Sequence, residues 1–312
     1  MTAVTEQPPL EVAVGEDGVP VREQTPFQRF VSDYCESKVA VAGFLGFVCI
    51  LLLAVFAPWI SPTDPYDLAT LDIMDSRLAP GEQMTSGTTA VLGTDGLGRD
   101  MLSAMIYGLR ISLGVGAMSG VIALCLGVCI GLMAAYFGGR VDAVIMRIVD
   151  LQLSFPAILI ALVLLATLGK GVDKIIVALI VVQWAYYART VRGAALVERN
   201  KEYVEAATCL ALSHQRVVFR HLLPNCMPPL IVVATVQIAH AIALEATLSF
   251  LGIGLPVTEP SLGLLISNGF EYMMSGKYWI SIYPGVALLV TIVSINLVGD
   301  RLRDVLNPRL AR

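Results

Sequence analysis

Uncharged apolar runs alternate with short polar segments along almost the whole chain. Residues 39–60 form 22 consecutive positions without a charge, enough to cross a hydrocarbon core about 30 Å thick as a helix. Comparable runs occupy residues 111–137, 144–168, 175–188, 227–251 and 279–298. Lipid offers a backbone no hydrogen-bond partners, so each run is expected to be a helix that satisfies itself. The pattern predicts an all-α polytopic membrane protein with six transmembrane helices. The leader before residue 39 is too long and too acidic for a cleaved signal peptide, so the first span is read as uncleaved.

An even number of spans puts both termini on one side. Fifteen Lys and Arg residues fall in segments on the N-terminal side and five on the other, with Arg110 at a span boundary. Basic residues accumulate in cytoplasmic loops, which predicts that both termini are cytoplasmic. Residues 1–24 are acidic and are expected to be disordered. From Thr25 as a cap and Pro26 as the first helical position, Phe27, Phe30, Val31 and Tyr34 recur at helical spacing. Residues 25–38 are therefore read as a short helix lying on the membrane surface, with a fraying tail as the alternative.

Composition agrees with this class: 56% of residues are apolar and 15% charged, with a formal net charge of −4. The solvent for most of the chain is lipid, and without a large basic block nothing points to nucleic acid. Cys35, Cys49, Cys125, Cys129, Cys209 and Cys226 are scattered, with no CxxC pair and no zinc spacing, and are expected to be buried small hydrophobes. Three histidines are too few and too dispersed for a metal site.

Within the second span, Gly116/Gly120 and Gly127/Gly131 have the spacing that lets helix backbones approach closely, so this helix is expected to pack against protein. Ionisable groups inside a bilayer are costly and mark polar contacts or function. Asp142, Arg147 and Asp150 cluster near the start of the third span, where an Arg between two carboxylates suits structural pairing; a transport role is the alternative. Glu245, in the fifth span, is either a group lining an aqueous cavity or a buried, hydrogen-bonded acid. Gln183 in the fourth span raises the same question.

The most charged stretch between spans is EYVEAATCLALSHQRVVFRHLLPN, residues 202–225. At 100° per residue, Tyr203, Val204, Ala207, Leu210 and Ala211 fall on one side of a helix and Glu202, Glu205 and Cys209 on the other. Ser213 is placed to cap a second helix with Val218, Phe219, Leu222 and Leu223 as its apolar stripe and Arg216, Arg220 and His221 as its cationic side. Pro224 and the Pro228/Pro229 pair are expected to stop it. Glu202 and Glu205 would face a negative membrane surface, and Ala206/Ala207 invite close approach, so docking to protein is favoured over resting on headgroups.

Glu205, Ala206 and Ala207, the following turn, and Leu223, Pro224 and Asn225 resemble the EAA loop of permease subunits of bacterial ABC importers. In that family the loop forms coupling helices that seat in the ATP-hydrolysing subunit. Two positions depart from the pattern: the family's turn glycine is Ala211 here, and its usual Arg after the alanines is Thr208. Since Ala resists positive φ, a left-handed turn at residue 211 is disfavoured on sequence grounds.

Residues 92–116 (LGTDGLGRDMLSAMIYGLRISLGVG), 140–162, 245–256 (EATLSFLGIGLP) and 296–310 (NLVGDRLRDVLNPRL) extend the resemblance from about residue 27 to the end. They look like the dipeptide and oligopeptide permease group, specifically its C-lettered partner, with the type I ABC importer permease fold. Residues 81–90 look like an insertion, and the customary His and Pro before GTDxxGRD are Ala90 and Val91. Asp95, Arg99 and Asp100 of that glycine-rich segment suit docking or gating near an outer pore mouth, or a capped structural turn before the second span.

No GxxxxGK[ST] occurs, so the chain has no phosphate-cradling loop of its own. The resemblance implies a non-catalytic subunit without a cofactor in this chain, ATP and Mg being bound by two partner ATPase subunits. It further implies a second homologous permease, an extracytoplasmic peptide-binding protein, and residence in the bacterial cytoplasmic membrane. Alternatives are a permease of the same family for nickel, glutathione or another small solute, and a secondary transporter, whose inverted repeats and broken helices the spans do not clearly show. An intramembrane hydrolase is the remotest reading, His240 being the single histidine within a span.

Overall fold

The computed structural model of the protein describes residues 25–66 and 71–306. The acidic segment 1–24 and the end of the last motif, residues 307–312, lie outside the described residues. Among those described, every named element is helical.

The chain opens with α1, Pro26–Cys35, capped by a reciprocal pair in which Thr25 Oγ1 accepts from the Gln28 amide and Gln28 accepts from the Thr25 amide. This satisfies two of the donors that every helix start leaves orphaned. The first apolar helix, α2, spans Lys38–Val55 and is followed by the single turn α3, Ala57–Ile60. After a long loop, α4 runs over Met101–Phe137. It begins ten residues before the apolar run, because Asp100 caps it through the Ser103 amide at 2.8 Å.

The third apolar run is not one straight helix. It divides into α5, Gly139–Leu153, and α6, Ala157–Leu168, which meet at 87°. Pro156, at the start of α6, has no N–H to continue α5 and disfavours helical backbone at Phe155. Next come α7, Val172–Arg199, which is much longer than its apolar core, and α8, Glu202–Cys209. A continuous helix, α9, spans His214–Phe250; α10 covers Leu262–Phe270, and α11, Trp279–Leu306, returns antiparallel to α9. Five helices (α2, α4, α7, α9 and α11) are long and apolar enough to cross a membrane, and the bent α5/α6 pair makes a sixth crossing if taken as one span.

The glycines of α4 determine how tightly the bundle closes. A Cβ on Gly127 would lie 2.5 Å from the Trp184 carbonyl oxygen of α7, and one on Gly131 would strike Val191 and the Ala188 carbonyl. A Cβ on Gly116 would lie 2.6 Å from Ile242 of α9. The two glycine pairs thus seat α4 between α7 and α9 at backbone contact, the packing that small residues allow in lipid.

Charges at the base of the bundle pair across helices and not within α5. Asp142 accepts a forked pair of bonds from Arg192 Nε and Nη2 at 2.5 and 2.6 Å, and Asp150 is bound by Arg189. Arg147 joins neither pair, contrary to the expected cluster, because residues on adjacent α7 approach the two carboxylates from the side. Five of the six cysteines are exposed and only Cys226 is buried, so most are not core residues. For Cys49, Cys125 and Cys129 the exposed surface lies on apolar helices, where a small soft side chain is compatible with lipid.

Candidate coupling region and polar groups of the spans

The candidate coupling region is built on α8. Val204 and Ala207 are buried against Val217, with Tyr136, Tyr203 and Leu212 packed around them. Glu202, Glu205 and Ala206 lie on the exposed side. One face of α8 therefore rests on the base of the bundle while its acidic face is free. Leu210 departs from the expected apolar side, being 75% exposed, because the helix ends at Cys209 and the backbone turns away.

That turn is left-handed after all. Ala211 has φ 52°, contrary to the expectation from its side chain. Its N–H donates to the Thr208 carbonyl at 2.9 Å, and the Leu212 N–H donates to Ala207 at 3.3 Å. These are the two bonds of a Schellman cap, which satisfy carbonyls that a helix end leaves open. Together with the packing of Leu212 on Ala207 and Val204, they outweigh the cost of about 1–2 kcal/mol of a left-handed L-residue.

Ser213 occupies the cap position of α9, but its side chain makes no capping bond. Arg216 is exposed in the first turn. The prolines do not end this helix. Residues Val217–Leu222 widen into a π-helical turn in which the Leu223 N–H reaches back to the Val218 carbonyl, and the α-helix resumes at Leu223 through Pro224, Pro228 and Pro229. A π turn re-routes the hydrogen bonds just where Pro224 has none to give. Arg216, Pro224 and the apolar stripe thus belong to the base of the fifth span and not to a separate short helix.

Four side-chain hydrogen bonds anchor the region. Tyr136 at the end of α4 shares a 2.7 Å hydrogen bond with His214 Nδ1, and Arg199 donates to the Ala135 carbonyl at 2.8 Å. Glu198 accepts from Lys201 at 2.7 Å and from the Tyr203 hydroxyl at 2.8 Å. Partial burial and that bond to Glu198 push the Tyr203 phenol up to about 12. The end of α7 therefore bonds α8 directly through Tyr203, while Tyr136 of α4 packs against the Val204/Ala207/Val217 cluster. None of these partners is visible as a motif, since each joins positions far apart or of ordinary type.

The polar residues of the spans separate into two groups. Glu245 is fully buried, with Ser112 Oγ of α4 donating to Oε2 and Ser249 Oγ to Oε1, both at 2.8 Å. Gln183 is also buried; its amide donates to the Gln237 carbonyl at 3.2 Å and its oxygen has no protein partner. Neither lines the cleft that contains His240. That cleft, about 940 Å³, lies between α9 and α11 and is lined in part by Tyr186, Gln237, His240, Asn296 and Arg303. Of these, only His240 had stood out in the sequence, and for a different reason.

The glycine-rich segment before α4 is internally satisfied. Asp95 and Arg99 form a buried ion pair at 2.7 Å, Arg99 donates onward to the Val257 carbonyl, and Asp100 caps α4. Gly98, with φ 81°, passes so close to Asp72 that a Cβ would lie 2.5 Å from its carbonyl oxygen. Asp95, Arg99 and Asp100 tie the loop to α4 and to the segment after α9; none projects into the main cleft.

Five membrane-length helices and a bent pair, with a two-sided helix seated at the base, define a polytopic membrane protein. The chain belongs to the family described as binding-protein-dependent transport system inner membrane component, whose profile matches residues 127–312. Residues 25–80 match the N-terminal transmembrane domain of oligopeptide transport permease C. Its relatives include the di/tripeptide transport system permease protein DppC of Pseudomonas aeruginosa, 37% identical over 92% of this chain and 93% of that protein. The dipeptide transport system permease protein DppC of Escherichia coli is 40% identical over 92% of this chain and 94% of its own length. An inward-facing structure of the MetNI methionine ABC transporter shares the fold at TM-score 0.55 and 21% identity, covering 66% of this chain and 98% of that one. The ABC importer permease fold, with five membrane-length helices and the bent α5/α6 pair, is the architecture of this protein.

Proposed function

We propose that this permease forms half of the translocation pathway of an ATP-driven importer of di- and oligopeptides in a bacterial cytoplasmic membrane. Kinship with peptide permeases over nine-tenths of the chain supports the substrate class. The observation that carries the mechanism is α8, whose Val204 and Ala207 are buried while Glu202, Glu205 and Ala206 remain exposed. A helix fixed on one face and open on the other can transmit a push from a separate subunit. Two ATPase partners bind ATP and Mg, a second homologous permease completes the path, and an extracytoplasmic protein delivers the peptide. Closure of the ATPase pair moves α8, and the rigid joint to α9 passes that movement to the spans as alternating access. Both termini and the coupling region lie in the cytoplasm, as the distribution of Lys and Arg favours. Purification of the chain from its native membrane, followed by identification of its companions and measurement of peptide uptake, tests this reading. Recovery without an ATPase subunit, or ATP-independent uptake, overturns it.

A further inference from the structure

His240 lies at the centre of the apolar stretch 227–251, yet its side chain is exposed and lines the cleft between α9 and α11. An ionisable group at such a depth is expensive unless it meets water, protein or a polar solute. Gln237, one turn away on the same helix, also lines the cleft, and its main-chain carbonyl accepts from Gln183 of α7. Beside the cleft the two helices touch: Gly299 of α11 lies so close to Thr235 that a Cβ would come within 2.6 Å of its hydroxyl. Three residues along each antiparallel helix from that contact, Asn296 is level with Ile238, between Gln237 and His240 in height.

Aliphatic side chains and prolines make up most of the remaining walls, joined by Tyr186, and His240 and Arg303 are the basic groups of the lining. No carboxylate lines the cleft among the described residues. Peptides of different sequence share only their main-chain amides and two charged ends. A wall with an imidazole and two amides, and with no anion, treats those ends differently. The carboxylate meets N–H donors; the ammonium meets no counter-charge. We propose that His240, with the side-chain amides of Gln237 and Asn296, receives the α-carboxylate of the peptide in transit and so sets a preference for a free C-terminus. This inference rests on the peptide-import reading above and adds the group recognised within the membrane.

The test uses the complete transporter in cells lacking other peptide importers. Uptake of a labelled tripeptide is compared with that of its C-terminal amide, each corrected for its affinity for the isolated binding protein. The wild type is expected to favour the free acid on the order of tenfold, the scale of one hydrogen bond to a charge. His240→Leu and Asn296→Leu are expected to bring the ratio close to one, and His240→Asn to restore part of it. An unchanged ratio in both leucine variants overturns the inference while leaving peptide import intact. If both variants instead lose the second permease on purification, the cleft is a subunit interface and the inference fails. Absence of peptide uptake by the wild type overturns the functional reading itself.

Discussion

Leu212 donates its backbone N–H to the carbonyl of Ala207 at 3.3 Å, closing the end of α8 over Ala211 in a left-handed conformation. The turn that aims the acidic face of α8 is therefore held by hydrogen bonds and packing against the preference of its own side chain. Glycine would adopt the same backbone without the steric cost. Ala211→Gly is expected to stabilise the cap by about 1 kcal/mol, offset in part by the greater freedom of unfolded glycine. Ala211→Val is expected to weaken it, β-branching being less compatible with positive φ. Thermal inactivation of the purified transporter checks both, and a less stable Ala211→Gly protein would count against the strained turn.

The exposed acids of α8 lead to a prediction about assembly. Glu205 contributes nothing to the packing of α8 on the bundle, so Glu205→Lys should leave the chain inserted at normal levels. Reversal of its charge at the docking face is expected to release the ATPase subunits or to separate ATP hydrolysis from uptake. Co-purification and peptide uptake measure this. Survival of both in the variant means that α8 does not couple.

Asp142 and Arg192 offer a reversible test of the base of the bundle. Their forked bonds join α5 to α7 in a part-buried setting. Arg192→Ala leaves a carboxylate without its donors and is expected to cost about 1–3 kcal/mol. The exchange Asp142→Arg with Arg192→Asp should recover part of that loss, read from the detergent stability of the purified chain. No recovery in the exchange would assign the effect of Arg192 to something other than this pair.

At Gly131 the structure leaves no room for a side chain. Gly131→Leu must push α4 from α7 and is expected to cost well over the roughly 1–3 kcal/mol typical of overpacking, with loss of the chain from the membrane. The same change at Gly114, where a Cβ meets nothing within 4 Å, should be far milder. Equal accumulation of the two variants would contradict the close packing of α4 on α7.

Tyr203 supplies a pH signature for the coupling region. Burial first, and then its bond to Glu198, raise the phenol from 10.0 to about 12. A raised folded-state value means that the neutral phenol contributes stability fully below pH 10, and that this contribution is lost as pH rises toward about 12. The ultraviolet difference between wild type and Tyr203→Phe should show this phenolate only near the upper end of that window. A phenolate forming near 10 would mean that the bond to Glu198 does not persist in solution.

Much of the fold is legible before any coordinates, because lipid forces apolar runs to close their own hydrogen bonds and leaves few alternatives to a helix. The spacing of Gly116, Gly120, Gly127 and Gly131 identifies α4 as a packed helix, and the EAA stretch identifies the helix that faces away from the bundle. Other features resist such reading. Pro156 breaks the third run although Phe155 and Ala157 on either side of it are apolar, and Pro224 fails to break α9 because a π turn absorbs it. Arg189 and Arg192 look like ordinary positive residues at the end of a span until α5 is laid beside α7.

By itself, then, the sequence determined the solvent, the helical class, the family and the two-faced helix α8. These depend on local composition and periodicity, which survive in one dimension. Only the tertiary structure decided that Ala211 is left-handed, that Glu245 is held by Ser112 and Ser249, and that His240, Gln237 and Asn296 share a cleft. Apart from the local turn at Ala211, such facts depend on register between segments far apart in the chain, 50 residues for Asp142 to Arg192 and 133 for Ser112 to Glu245. Chain periodicity carries no record of that register; close packing between helices creates it.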